Sequence, residues 1–406
     1  MKKAELLAPA GDFECLKSAV RFGADAVYIG GPFMQLRAAA SAFSQENIVA
    51  AAQYCHGFNR KLYVTVNSFA KNAEIESLKE YAKKLYLFDV DAAIVSDIGA
   101  ISAMKKAEPR LEIHVSTQAN CQNYEAATVY YNMGASRVVL AREMTIDDIA
   151  LLRERAPKKL ELEAFVHGAM CMSYSGRCLL SAFLTNRSGN RGDCAQSCRW
   201  MYHLCEEKRP GEFFPIEEDE NGTAILSSQD LNCREFVNRL IDAGVCSLKI
   251  EGRMKSPYYV ASVTNAYRKR LDGYEPIETL ERELHSVSHR PYSNGFYFGK
   301  MSEFRPDNGV YIRDCTFVGS VIEEQKDGMV KIEQRNCFAV GETLEVIRPE
   351  GVGESFTAKD IRNENGESVD RANKAKEIYF VNCPLPLKVG DMIRTRQKEY
   401  EGTING

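Results

Sequence analysis

Ser247-Leu-Lys-Ile250, running on into Glu251-Gly-Arg253-Met-Lys255, decides how the first part of this chain folds. The first four residues, with Leu248 and Ile250, form a short strand-like run of the kind that a parallel sheet buries on both faces. Seven comparable runs precede it: Glu5–Pro9, Ala26–Gly30, Lys61–Asn67, Ala92–Ser96, Glu112–Thr117, Arg137–Ala141 and Leu160–Val166. Amphipathic helical stretches separate them, from Asp12 to Phe22, Asn47 to Phe58 and Ala73 to Phe88, then near 97–107, 123–133 and 145–155, with Cys233–Ala243 before the last run. Regular alternation of this kind predicts an α/β fold. Eight strands predict a TIM-type (β/α)8 barrel, whose functional residues sit at the C-terminal ends of the strands. Polar residues stand at those ends: Asn67, Ser116-Thr117-Gln118, Arg142-Glu143, His167, and finally Glu251 and Arg253. No Gly-x-Gly-x-x-Gly follows the first run, which weighs against a dinucleotide-binding sheet.

Beyond about residue 300 the texture changes. Gly309–Ile312, Thr316–Ile322, Gly328–Ile332, Glu342–Ile347, Glu377–Val381 and Lys388–Ile393 are short alternating strands divided by turns, which predict a small all-β barrel. The expected organisation is a catalytic barrel over 1–300, interrupted by a cysteine-rich insert over 169–225, and a β domain over 301–406. The insert ends in the acidic run Glu217–Gly222.

With 406 residues, 45% of them apolar and 27% charged, the chain has the composition of a globular protein of two or three domains. No apolar run approaches the ~20 residues of a membrane span. Glu5 and Asp12 interrupt what would be a signal core, so a cytoplasmic protein is expected. A net charge of −4 lacks the basic footprint of most nucleic-acid binders, although Arg187, Arg191, Arg199, Lys208 and Arg209 offer one local basic surface.

Thirteen cysteines in a reducing compartment call for an explanation other than disulfides. Cys15, Cys55, Cys121, Cys315, Cys337 and Cys383 read as small core residues. Composition does not account for Cys171, Cys178, Cys194 and Cys233, three of them crowded among glycines in Gly168–Cys194. Cys171 and Cys178 are seven apart, Cys194 is sixteen further on and Cys233 thirty-nine beyond that. Structural zinc favours close pairs, and only Cys194 and Cys198 supply one. Wide spacing suits an iron–sulfur cluster held between loops. Buried thiols are the bland reading of the same residues. A cysteine hydrolase using His167 and Cys171 is the rival from another class, without any protease signature around the pair.

Lys249, Glu251 and Arg253 would alternate onto one side of the last strand and face the barrel mouth. A lysine and an arginine there can hold a carboxylate-bearing small molecule. An internal salt-bridge network that closes the barrel uses the same residues.

Glu163-x-Phe165-x-His-Gly168-x-x-Cys171, followed by Ser175-Gly-Arg-Cys178, resembles the signature of the U32 peptidase family. So do Leu6-Leu-Ala-Pro-Ala-Gly11, Gly23–Gly30, Asn190-Arg-Gly-x-Cys194, Ser247–Ser256 and His289-Arg-x-Tyr-x-x-Gly-Phe296, over about 300 residues in all. The family name is that of a peptidase, whereas its better-understood members are similar to oxygen-independent hydroxylases of tRNA, rRNA or ubiquinone precursors. The resemblance implies a [4Fe–4S] cluster on Cys171, Cys178, Cys194 and Cys233, with Cys198 as a possible substitute for Cys194. It further implies prephenate as oxygen donor, a tRNA wobble uridine as target, and a paired subunit of the same family in some relatives. Asn67, Gln118, Lys249, Glu251 and Arg253 are then expected to hold substrate, and His167 and Glu163 to handle protons. Collagenase-like peptide hydrolysis is the reading left by the family name.

Overall fold

The protein is described by a computed structural model covering residues 4–36, 43–171, 173–200, 204–205, 213–214, 229–274, 277–299 and 311–396. The acidic run Glu217–Gly222, Lys208 and Arg209 lie outside the described residues, as does much of the insert expected over 169–225. Contacts divide the chain into two units. One comprises Met1–Val20, Ala24–Lys255 and His289–Tyr311, and the other Arg21–Gly23, Ser256–Ser288 and Ile312–Gly406.

The first unit is built on β1 (Glu5–Pro9), β2 (Ala26–Gly30), β3 (Lys61–Val66), β4 (Ala92–Val95), β5 (Glu112–Val115), β6 (Arg137–Val139) and β7 (Glu161–Ala169). Next in chain order come β8 (Asp230–Asn232) and β9 (Ser247–Ile250). Strands β1 to β7 pair in parallel in sequence order, and β9 pairs in parallel with both β1 and β7, so eight parallel strands close into the expected barrel. The closing register sets Ser247 opposite Glu163 and Lys249 opposite Phe165. Short polar side chains start the helices that alternate with these strands. Ser44 caps Gln45–Gly57, Asp97 caps Ile98–Ala107, Asn123 caps Tyr124–Asn132, and Thr145 forms a capping box with Asp148 ahead of Ile146–Arg155.

The barrel departs from the sequence-based expectation in two places. Strand β7 runs to Ala169 rather than ending at Val166, and the helix expected over Cys233–Ala243 is confined to Val237–Asp242. One cause accounts for both. Strand β8 adds antiparallel to the outer end of β7, with Asp230 opposite Ala169 and Asn232 opposite His167. Tyr292–Ser293 lies beside β8 on its other side, and the buried pair Asp230–Arg290 (2.8 Å) ties the two.

The second unit contains Pro257–Leu271 and Ile277–His285 as helices and a seven-stranded antiparallel sheet. Its long strand Cys315–Lys326 pairs with both Met329–Gln334 and Met392–Arg396, and bulges interrupt these pairings. A single apolar core including Val318, Val330, Ile332, Leu344, Phe356, Val381 and Ile393 lies against the sheet. Of the expected strand Gly309–Ile312, residues 309–310 lie outside the described residues; the sheet begins at Cys315. Gly351–Thr357 and Ile361–Asn363 are strands that the sequence reading did not mark. A division at residue 300 separates the two helices from the unit they contact. Tyr258 stacks on Phe317 at 5.2 Å between ring centres, and Arg394 bonds Glu283.

Candidate active site at the barrel mouth

Inward-facing residues of a TIM barrel are usually branched and apolar. Here the interior carries charge. Arg137 on β6 donates to Glu5 (2.6 Å) and Glu163 (3.0 Å), and Lys249 on β9 donates to Glu163 (2.8 Å). The Ser247 hydroxyl donates to Glu5 (2.9 Å) and Glu163 (3.1 Å), and the Tyr63 hydroxyl donates to Glu5 (2.8 Å). Two buried cations face two carboxylates, the condition under which ions survive in an interior. Burial alone would raise the Glu163 carboxyl. The opposing attraction of Lys249, Arg137 and His114 outweighs it and holds the group at about 2. Burial lowers the pKa of His114, whose ring packs edge-on against Tyr63 at 4.7 Å.

Above this network a pocket of about 80 Å³ opens at the C-terminal ends of the strands. Asn67, Gln118, Lys249, Glu251 and Arg253 all line it, so the five candidate substrate ligands meet in one place. Tyr28, Thr65, Thr117, Arg142 and Phe165 complete the polar and aromatic wall. The Arg253 guanidinium donates to the Thr65 hydroxyl (2.7 Å) and to the Leu36 carbonyl. Lys249 Nζ stands 4.5 Å over the Tyr28 ring, whose hydroxyl donates to the Ile250 carbonyl (3.0 Å) and to Glu251 (3.3 Å). Burial raises the Tyr28 phenol well above its ordinary range, and the Glu251 charge adds to that effect.

Two glycines of the sequence motifs exist because Arg253 comes close. A Cβ on Gly11 would sit 2.3 Å from the Arg253 carbonyl oxygen, and one on Gly30 would meet the guanidinium at 2.4 Å as well as the Gln35 side-chain oxygen at 1.9 Å.

The two proton-handling candidates lie elsewhere. Glu163 is buried in the ion network below the pocket, and His167 is buried beside β8, its ring 5.4 Å from that of Tyr292. Tyr292 in turn stacks on His289 at 4.1 Å. Neither Glu163 nor His167 is among the pocket-lining residues. Sequence reasoning marked the end of β6 as polar but did not select Arg142. Tyr28 and Phe165 sat inside apolar runs, where only the inward alternation of a strand could have marked them.

The cysteine segment is pinned around the mouth by its own motif residues. Ser175 N–H donates to Glu143 (2.8 Å), just after β6. Gly176, at φ +72°, packs so closely after β5 that a Cβ would fall 2.1 Å from the Gln118 carbonyl oxygen. Asn190 donates to the Cys178 carbonyl (3.0 Å), and Arg191 bonds Glu74 (2.7 Å) and the Phe69 carbonyl, both after β3.

Cys171 is exposed, Cys178 and Cys194 are half-buried, and Cys233 is fully buried after β8 with its N–H on the Val166 carbonyl (2.9 Å). Four thiols are the right donor chemistry for an iron–sulfur cluster. Among the described residues no three histidine, cysteine or acidic side chains are grouped closely enough to share a metal ion as they stand. Among those residues, too, no helix is long and apolar enough to cross a membrane.

Comparison with known proteins places this architecture. The chain is 39% identical over 404 residues to "tRNA hydroxylation protein P1" of Bacillus subtilis, covering 97% of this chain and 95% of that protein. It is 34% identical over 451 aligned positions to "tRNA hydroxylation protein P" of Escherichia coli, covering 100% and 99%. A protein named "Collagenase" from Porphyromonas gingivalis is 35% identical over 418 positions, covering 98% and 97%. Residues 11–305 match Peptidase family U32 and residues 313–394 match the Peptidase family U32 C-terminal domain, so the chain belongs to that family.

Proposed function

We propose that the chain is an oxygen-independent RNA hydroxylase that installs a hydroxyl at carbon 5 of the tRNA wobble uridine, with prephenate as oxygen donor and a [4Fe–4S] cluster on Cys171, Cys178, Cys194 and Cys233. The observation that carries the reading is the strand-end pocket where Asn67, Gln118, Arg142, Lys249, Glu251 and Arg253 converge, in a chain whose full-length relatives include two named for tRNA hydroxylation. Cations at the mouth suit an anionic donor, because an arginine fork matches a carboxylate in two parallel hydrogen bonds. The amide side chains of Asn67 and Gln118 offer donors and acceptors to a pyrimidine edge. A uridine in a single-stranded loop reaches such a pocket by swinging out of its stack, which costs little where no base pair is broken.

The cluster would supply electron transfer. What supports it is the four-thiol donor set, three members of which sit on a segment fixed to the loops after β3, β5 and β6. Glu163 is held ionised by Lys249 and Arg137, so it acts through these partners rather than by giving up a proton near neutral pH.

The relative named "Collagenase" keeps peptide hydrolysis in view, and one experiment separates the two. Bulk tRNA from a strain lacking the chain should lose 5-hydroxyuridine, and the wild-type chain should restore it. Unchanged nucleoside content, with gelatin cleavage by the purified protein, would replace the hydroxylase with a peptidase. Anaerobic purification should give a brown protein whose visible absorbance disappears on Cys233→Ser; a colourless, tRNA-active protein would remove the cluster.

A further inference from the structure

Three cations line the barrel-mouth pocket, and they differ in what already holds them. Lys249 is neutralised by Glu163 at 2.8 Å. Arg253 is spanned between the Thr65 hydroxyl and the Leu36 carbonyl. Arg142 donates one hydrogen bond, from Nη1 to the Ala169 carbonyl (3.0 Å), and forms no ion pair with any described residue. Its neighbour Glu143 is turned to the Ser175 amide and hydroxyl. The Arg142 guanidinium carbon stands over the Phe165 ring, 3.9 Å from the ring centre, and its Nε is buried without a hydrogen-bond partner. A buried donor left unmade costs free energy, so native structures rarely keep one without a water, ion or ligand to satisfy it.

We propose that Arg142 forms a carboxylate subsite, in which the Nε–Nη2 edge grips a small planar anion held against Phe165. The fork geometry of guanidinium matches two coplanar oxygens, and the aromatic platform keeps the guanidinium plane fixed. The space, about 80 Å³, admits the end group of a small molecule. The subsite deepens the hydroxylase reading: it rests on that reading for the donor's identity, and on the geometry for the charge and shape of the bound group.

The test is titration calorimetry of the full chain with malonate, benzoate, prephenate and inorganic phosphate, on the wild type, Arg142→Gln and Arg142→Lys. Circular dichroism checks that each variant is folded. At least one carboxylate should bind the wild type, with ~10- to 100-fold weaker binding in Arg142→Gln, the range expected for charge-assisted hydrogen bonds. Arg142→Lys keeps the charge and loses the fork, so it should recover only part of the affinity; it also carries the test if Arg142→Gln does not fold. Equal affinity in wild type and variants, no carboxylate binding by the wild type, or Arg142-dependent binding of phosphate alone would each overturn the proposal. Arg142-dependent binding of malonate or benzoate without prephenate would leave the subsite standing and remove prephenate as the donor.

Discussion

Glu163→Gln is the most informative single change in the barrel, because it keeps the side-chain shape and deletes one charge from the interior network. In the native protein that carboxylate accepts from Lys249 at 2.8 Å, Arg137 at 3.0 Å and Ser247 at 3.1 Å, with no exposed surface. Arg137 retains Glu5 and Glu161 as partners in the variant, whereas Lys249 loses the carboxylate that pairs with it among the described residues. Removing one member of a buried pair typically costs ~3–5 kcal/mol, since the remaining charge is left without compensation. The titration of Glu163 gives a consistent figure. A fall from an ordinary 4.5 to about 2 corresponds to roughly 3 kcal/mol, on the order of 1.4 kcal/mol per pH unit.

The sign of the pH dependence follows from the direction of that change. A carboxyl lowered by folding contributes stability that is complete above about 4.5 and lost as pH falls toward about 2. The gap between wild type and Glu163→Gln should therefore be flat from pH 7 to 5 and about 2 kcal/mol smaller by pH 3. Urea unfolding followed by circular dichroism at several pH values measures it. Adding Lys249→Met should recover part of the loss, because the double variant no longer buries an uncompensated ammonium; the double-mutant cycle isolates that coupling. A cost under ~1 kcal/mol at pH 7, or a gap that does not change down to pH 3, would refute the assignment of Glu163 as the ionised hub of the barrel.

Gly176→Ala should lower stability by ~1–3 kcal/mol and open the 173–200 segment to protease, because it places a Cβ against the Gln118 carbonyl at a backbone conformation that L residues avoid. Wild-type stability and cleavage pattern would show that the loop has room to move. Arg394→Met should cost ~3–5 kcal/mol in the second unit, since it takes from buried Glu283 the guanidinium that holds it at 2.6 Å, whereas Glu345 keeps Arg396 at 2.7 Å; thermal unfolding reads the loss. Asp230→Asn should loosen β8 from β7 by removing the charge that pairs with buried Arg290 at 2.8 Å, and amide exchange at Leu231 and Cys233 should rise well before that of the barrel strands.

The barrel was legible because its strands are short apolar runs, alternate with amphipathic helices and end abruptly in polar residues. Lys61–Val66 stops before Asn67 and Ser247–Ile250 before Glu251, and both polar residues line the pocket. Strand β8 was not legible. Asp-Leu-Asn has no strand signature of its own, and it becomes a strand only because the end of β7 offers unpaired backbone and Arg290 neutralises Asp230. Local propensity is silent on pairings made from 61 positions away (230 minus 169). The same holds for the charges. Nothing near Glu163 in sequence announces Arg137 or Lys249; the β6–β7 pairing brings the first to it, and the closing register, which sets Ser247 opposite Glu163, brings the second.

Lys249 belongs at once to the ion network and to the pocket above it, and this shapes how the mouth can work. Its ammonium is spent on Glu163, while its stem and the Tyr28 ring line the cavity. A ligand anion arriving there meets a lysine whose field is largely cancelled by a carboxylate 2.8 Å away, so the lysine fixes the shape of the pocket floor more than it attracts charge. Arg253 is likewise occupied in joining the loop after β9 to β3 through Thr65. The sequence pattern Lys-x-Glu-x-Arg pointed to the right place for a ligand. The cation whose charge is still free there is Arg142, supplied by a different strand, and a motif read along one strand cannot reveal a residue whose meaning comes from what its neighbours on other strands have already bound.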